Sequence, residues 1–234
     1  MNSADRMIPT GCSSLDKLLS GGLKLGDVSL VYGQAETGKT CFAIQCAVNA
    51  GRLGYKTIFV DTDGTFSAKR LSQLAPKDLD EVAPLITLVK PSDFQEQALV
   101  IDRLDEYLTS SVGLVIVDSV TSLYRAELGD EKQLTFSKNR ELGRQLACLA
   151  QTAKTRKVAT LLTSQVHNVF AQGVVRIEPV ATRVVRFWAD TVIGFKPTSQ
   201  RNALKAVLEK HTERKCPVHC YVSIEETGIC DYGR

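Results

Sequence analysis

A chain of 234 residues, 44% of them hydrophobic, suits one α/β domain with a real core. Its net charge of +3, from 29 basic and 26 acidic side chains, is too small to point to nucleic acid by itself, so any such footprint is local. The start has no apolar signal core, no run approaches the ~18 apolar residues of a membrane span, and seven cysteines is an odd count. A soluble cytoplasmic protein with reduced thiols is expected.

In chain order, apolar runs at 28–32, 57–60, 85–89, 114–117 and 158–163 alternate with longer helical patterns. Runs without polar alternation are what parallel strands covered on both faces look like. The first leads into Gly33-Gln34-Ala35-Glu36-Thr37-Gly38-Lys39-Thr40, which fits the phosphate-cradling pattern G-x-x-x-x-G-K-[ST]. Its glycines let backbone wrap an anion, and Cys41 opens a nearly all-apolar helix whose N-terminus adds positive potential. Lys39 suits the β/γ-phosphates of a nucleoside triphosphate and Thr40 suits Mg²⁺.

Later elements are legible in the same way. Ser92-Asp-Phe-Gln95 reads as a capping box ahead of a stripe of Phe94, Ala98, Ile101, Leu104 and Leu108. Leu142, Leu146, Leu149, Ala150 and Ala153 form a second stripe. Beyond Gly194, Leu204, Ala206 and Leu208 alternate with polar neighbours, as do Val218, Cys220, Val222 and Ile224, which predicts antiparallel strands. His211, Cys216, His219, Cys220 and Cys230 lie there too, but no second pair stands at finger spacing, so a hairpin is preferred to zinc.

Function in open α/β sheets gathers beyond the carboxyl ends of the strands. The run at 114–117 delivers Asp118, placed to orient Mg²⁺ through water, or else to cap the next turn. The run at 57–60 leads into Asp61-Thr-Asp-Gly64, where a carboxylate can polarise an attacking water, the alternative being an Asp-Gly turn. The run at 158–163 ends in Ser164-Gln165, whose amide can touch a γ-phosphate oxygen and hold water.

The ordered set resembles the RecA-like recombinases, and most closely the archaeal RadB group, over nearly the whole chain. It comprises Thr10-Gly-Cys-Ser-Ser-Leu-Asp16 with Gly21-Gly22 before the first strand, the phosphate loop, Asp61-Thr-Asp-Gly-Thr-Phe66, Val117-Asp-Ser119, Leu123-Tyr-Arg-Ala-Glu-Leu128, Asn139-Arg-Glu-Leu-Gly-Arg-Gln-Leu146 and Thr163-Ser-Gln-Val166. The resemblance implies a single RecA-type P-loop NTPase core over 1–234, with a mainly parallel sheet flanked by helices and antiparallel C-terminal strands. It also implies ATP and Mg²⁺ as cofactors, weak ATPase activity, single-stranded DNA as partner, and an accessory role in homologous recombination and repair. Protein partners implied are the main archaeal recombinase and a Holliday-junction resolvase, with self-association as a homodimer or small oligomer.

By position, Asp63 stands where the family has its catalytic glutamate and Gln165 where it has a switch glutamine, with Lys39 the third catalytic candidate. Asp63 has about 1.5 Å less reach than glutamate, and a misplacement of ~1 Å can cost on the order of 100-fold in rate, so slow hydrolysis is expected. The chain begins almost at the ATPase core and contains no Phe-x-x-Ala, which argues against a separate N-terminal DNA-binding domain and long filaments. DNA contacts fall to Arg125 in one loop region and to Arg176, Arg183 and Arg186 in another, beside Phe170, Phe187 and Trp188. The alternative there is that Val184, Phe187 and Trp188 begin a helix packed on the core. Lys210 is a candidate for a neighbour's nucleotide, or a solvated strand-end lysine. A KaiC-like signalling ATPase and a non-hydrolysing, nucleotide-gated interaction module remain open on the same residues.

Overall fold

The computed structural model describes residues 7–128, 132–171 and 174–233. A short pair of strands, β1 (Met7–Ile8) and β2 (Leu23–Lys24), brackets helix α1 (Ser13–Leu18). The α/β alternation follows as β3 (Val28–Gly33), α2 (Lys39–Arg52), β4 (Lys56–Asp61), α3 (Ala68–Leu74), α4 (Leu79–Val82) and β5 (Ile86–Val89). Then come α5 (Phe94–Asp102), α6 (Leu104–Tyr107), β6 (Val112–Asp118), α7 (Ser122–Ala126), α8 (Lys132–Arg156) and β7 (Ala159–Ser164). A separate hairpin, β8 (Val166–Ala171) and β9 (Val174–Pro179), leads into α9 (Thr182–Trp188). The chain closes with β10 (Thr191–Pro197), β11 (Ala203–Lys210), β12 (Val218–Glu225) and β13 (Gly228–Asp231).

The main sheet has nine strands in the order β13-β12-β11-β10-β3-β7-β6-β4-β5. Pairing is parallel from β10 to β5 and antiparallel from β10 to β13, so the expected mixed architecture is present.

Why the strands read as continuous apolar runs is visible in the two cores. Val31, Phe59, Ile116, Leu161 and Ile193 face Phe42 and Ile44 of α2. Their neighbours Leu30, Ile58, Val115, Leu162 and Val192 face Phe94, Leu142 and Leu146 of α5 and α8. Successive side chains point to opposite faces, and both faces are covered, except in β5, which is the edge of the sheet and leaves Leu88 exposed. In α2, every residue from Cys41 to Ala50 is buried, so this helix is a central layer rather than an amphipathic surface element.

One boundary differs from expectation. Helix α5 is capped by Asp93, which accepts from the Glu96 backbone N–H at 2.7 Å, while Glu96 reaches back to Ser92. The capping pair is therefore Asp93 with Glu96, not Ser92 with Gln95; glutamate satisfies the preceding N–H with a full charge. The stripe of Phe94, Ala98, Ile101, Leu104 and Leu108 is buried, although the helix breaks at Arg103. Among the described residues no cluster of metal-ligating side chains occurs, and the region 218–225 is a strand as expected. No described helix is long and apolar enough to cross a membrane.

Candidate nucleotide-binding site

The loop between β3 and α2 owes its shape to two residues with left-handed backbone, Glu36 at φ 64° and Gly38 at φ 75°. Thr37 turns inward and donates its hydroxyl to the Gln34 carbonyl at 2.8 Å. Gly33 has no room for a side chain: a Cβ there would lie 2.5 Å from Thr37 Oγ1 and 2.6 Å from the Phe195 carbonyl oxygen. Gly38 is the N-cap of α2 and offers no side-chain acceptor, so the first N–H groups of a fourteen-residue helix stand without intrahelical partners. Lys39 lies over the loop, donating to the carbonyls of Gly33 and Gln34 at 2.9 and 2.8 Å. Burial lowers its pKa, while the charges of Asp118 and Asp63 oppose that shift.

The strand-end carboxylates have separate tasks. Asp61 is buried and accepts from the backbone N–H groups of Thr65 and Phe66, which fixes the turn. That frees Asp63 to stand exposed at the cleft. Asp118 ends β6 with one oxygen accepting from Thr163 and the other, Oδ2, buried without a partner among the described residues. Burial raises its pKa, against the lowering effect of the Thr163 hydrogen bond and of the nearby Thr40 hydroxyl.

Gln165 joins these groups. Its Nε2 lies 3.5 Å from Asp63 Oδ2 and 3.1 Å from the Ser122 hydroxyl, while its Oε1 accepts from Arg125 at 3.3 Å. Ala35, Glu36, Lys39, Thr40, Asp63, Thr65, Asp118, Arg125, Gln165 and Val166 thus line one cleft of about 370 Å³. The sequence candidates Lys39, Thr40, Asp63, Asp118 and Gln165 meet there from four different segments.

These residues fit a magnesium-bound triphosphate. The orphaned Asp118 Oδ2 beside Thr40 is a hard oxygen donor awaiting a cation, and the uncapped N-terminus of α2 with Lys39 suits an anion. When bound, such a group supplies the phosphoryl bond to be cleaved and the cation that neutralises charge on it. Lys39 and the loop would hold its phosphates, Thr40 and Asp118 would hold the cation, and Asp63 with Gln165 would face the side from which a water attacks.

Comparison with known proteins shows the family. A family model described as Rad51 matches residues 4–232. The DNA repair and recombination protein RadB of Methanosphaera stadtmanae is 33% identical over 225 residues, covering 95% of each chain. That of Thermococcus gammatolerans is 36% identical over 228 residues, covering 96% of this chain and 99% of the relative. A solved crystal structure of the RadB recombinase superposes with a TM-score of 0.81 at 33% identity, covering 96% of this chain and 99% of the other.

The chain belongs to the archaeal RadB group of the Rad51 family.

In this RadB-group chain the arginines proposed for DNA are placed unequally. Arg125 is in the cleft, bound to Gln165. Arg183 is exposed on α9. Arg186 donates to Glu209 at 2.6 Å, and Glu209 also accepts from the Tyr32 hydroxyl at 2.7 Å. The side chain of Arg176 lies outside the described part of the structure. The stretch 166–186 is a hairpin followed by a helix that buries Val185 and leaves Phe187 73% exposed. Lys210 donates to the carbonyls of Arg186 and Ala189, closing the C-terminal end of α9.

Several working residues escaped sequence reasoning. Thr163 and Ser122 are ordinary strand-end and helix-start hydroxyls until the fold brings them to Asp118 and Gln165. Arg70 is another: it donates to the carbonyls of Glu225 and Glu226 and to Cys41 Sγ, tying α3 and the β12–β13 turn to the start of α2. Only long-range pairing reveals it.

Proposed function

We propose that this chain is an ATP- and DNA-binding accessory of homologous recombination and DNA repair, with weak ATPase activity. The observation that carries the reading is the single cleft in which Lys39, Thr40, Asp118, Asp63 and Gln165 meet Arg125. The RadB relatives from Methanosphaera stadtmanae and Thermococcus gammatolerans are DNA repair and recombination proteins, which supports a role in the same processes. Lys39 and the loop of Gly33 to Cys41 hold the phosphates of ATP, and Thr40 with Asp118 holds Mg²⁺. Asp63 polarises the water, slowly because its carboxylate is short. Gln165 senses the γ-phosphate and passes that state to Arg125 and to the segment leading to Arg176, Arg183 and Arg186. Single-stranded DNA is the ligand of that segment, the main archaeal recombinase and a Holliday-junction resolvase are protein partners, and self-association stops at a homodimer or small oligomer. Lys210 is the candidate for a contact to a neighbour's nucleotide in that assembly, which it could make only by leaving the Arg186 and Ala189 carbonyls.

The deciding measurement is single-strand affinity with ATP, with a non-hydrolysable analogue and with ADP, at two salt concentrations. Tighter binding in the triphosphate states and a steep salt dependence are expected. Affinity indifferent to nucleotide, or a Lys39→Ala protein that still binds the analogue fully, would falsify the reading.

A further inference from the structure

Four phenylalanines, Phe42, Phe59, Phe94 and Phe195, are at most 2% exposed, whereas Phe136 and Phe187 are 74% and 73% exposed. These two are not scattered. Phe136 is on α8 and Phe187 on α9, and the helices pack together where Val184 lies over Gly143. Phe136, Arg140 and Gly143 recur at helical spacing on one face of α8, as Arg183 and Phe187 do on α9. With 1.5 Å of rise per residue, Phe136 and Arg140 stand about 10 and about 5 Å along α8 from the crossing, and Phe187 about one turn along α9 from Val184.

Arg140 and Arg183 are exposed, and neither makes a hydrogen bond or ion pair among the described residues. Their neighbours behave otherwise: Arg144 is held by Asp102 and Glu141, and Lys138 by Glu127. A groove of about 440 Å³ runs past Phe136, Arg140 and Arg144.

We infer that Phe136 and Phe187 are stacking platforms for bases of a single-stranded nucleic acid, with Arg140 and Arg183 taking its phosphates. Flat faces that accept any base, next to cations with no carboxylate of their own, are the two components of sequence-tolerant single-strand binding. Arg125 of the cleft lies on α7, the helix that precedes α8 in the chain, and α9 follows the hairpin that begins beyond Gln165. The inference rests on the DNA-binding reading above and adds a path along α8 that the arginines of 176–186 do not supply.

The test uses the whole chain with Mg²⁺ and a non-hydrolysable ATP analogue, and a fluorescent oligothymidylate read by anisotropy. Phe136→Leu with Phe187→Leu is expected to weaken binding at least about tenfold with the salt slope unchanged, since leucine keeps apolar surface but loses the π-face. Arg140→Gln with Arg183→Gln should lower the slope by about 1.4, at roughly 0.7 for each phosphate left without its arginine. Unchanged analogue binding and unchanged Tm show that the variants are folded. If the wild-type chain binds the oligonucleotide and both double variants match it, this surface is refuted while the function stands. Weaker binding in Phe→Ala but not Phe→Leu variants also refutes it, and assigns the patch to a protein partner. A wild-type chain with no single-strand affinity overturns both.

Discussion

Gln165 Nε2 and Asp63 Oδ2 face each other at 3.5 Å across the mouth of the cleft, a distance at the edge of a hydrogen bond. The carboxylate is therefore only loosely held, and its position is set by the turn that Asp61 fixes behind it. Asp63→Glu extends the group toward the phosphates and is expected to raise the ATPase rate by about tenfold or more, given the steep cost of ~1 Å misplacement. Steady-state phosphate release measures this, and an unchanged or lower rate would remove Asp63 from its assigned task.

Asp118 carries a buried charge whose second oxygen is unpaired among the described residues, and burial raises its pKa. A carboxyl whose folded pKa is raised stabilises the fold in its protonated form, and that contribution is lost as pH climbs from the unfolded pKa through the folded one. Without nucleotide, Asp118→Asn should gain about 1 kcal/mol near neutral pH, or roughly 2–4 °C in Tm. With Mg²⁺ and an ATP analogue the order should reverse, because only the wild type gains from the cation. Paired thermal melts, with and without EDTA, decide it.

Arg186 and Glu209 form a half-buried pair, with Tyr32 on the other carboxylate oxygen and Lys196 at 3.7 Å. Tyr32's pKa is raised, by burial first and then by its bond to Glu209. Glu209→Gln should lower Tm by several degrees, at about 2–4 °C per kcal/mol, while releasing Arg186. Single-strand affinity should then rise two- to five-fold, on the order of 0.4–1 kcal/mol. A fall in affinity would mean that Arg186 is a structural cation only.

Gly33→Ala tests the cradle. The added methyl would collide with the Phe195 carbonyl on β10, so β3 and β10 must shift apart beside the loop. A loss of about 1–3 kcal/mol in stability and weakened analogue binding are expected together. Calorimetry of both quantities on one preparation checks the coupling.

Much of the molecule is open to reading from residues alone, for a clear reason. The phosphate loop and the parallel strands are local patterns: two glycines, a lysine and apolar runs buried on both faces. The longer signature around 123–128 and 139–146 proves largely architectural. Tyr124 donates to Asn139 at 3.0 Å, Gln97 donates to Gln145 at 2.8 Å in the buried layer, and Arg144 pairs with Glu141. Such residues identify a fold through its internal fittings rather than its chemistry. What stays illegible is set by tertiary pairing. Nothing near Arg186 in sequence announces Glu209, and nothing near Arg70 announces the carbonyls of Glu225 and Glu226. The capping box slips by one residue because Ser92 and Asp93 are both good N-caps, and only the bond to Glu96 chooses between them.

Gln45 of α2 donates to the carbonyls of Thr10 and Ile229 and accepts from the Ile229 N–H, and Asp231 accepts from Ser14. The stretch before α1 and the last strand are consequently latched to each other across the helix that starts at the phosphate loop. Amide exchange at Ser14 and Ile229 should slow in concert when a nucleotide analogue is added, and Gln45→Leu should uncouple the two probes. Occupancy at one end of a helix would then be felt as a tightened seam at its middle, some two turns away.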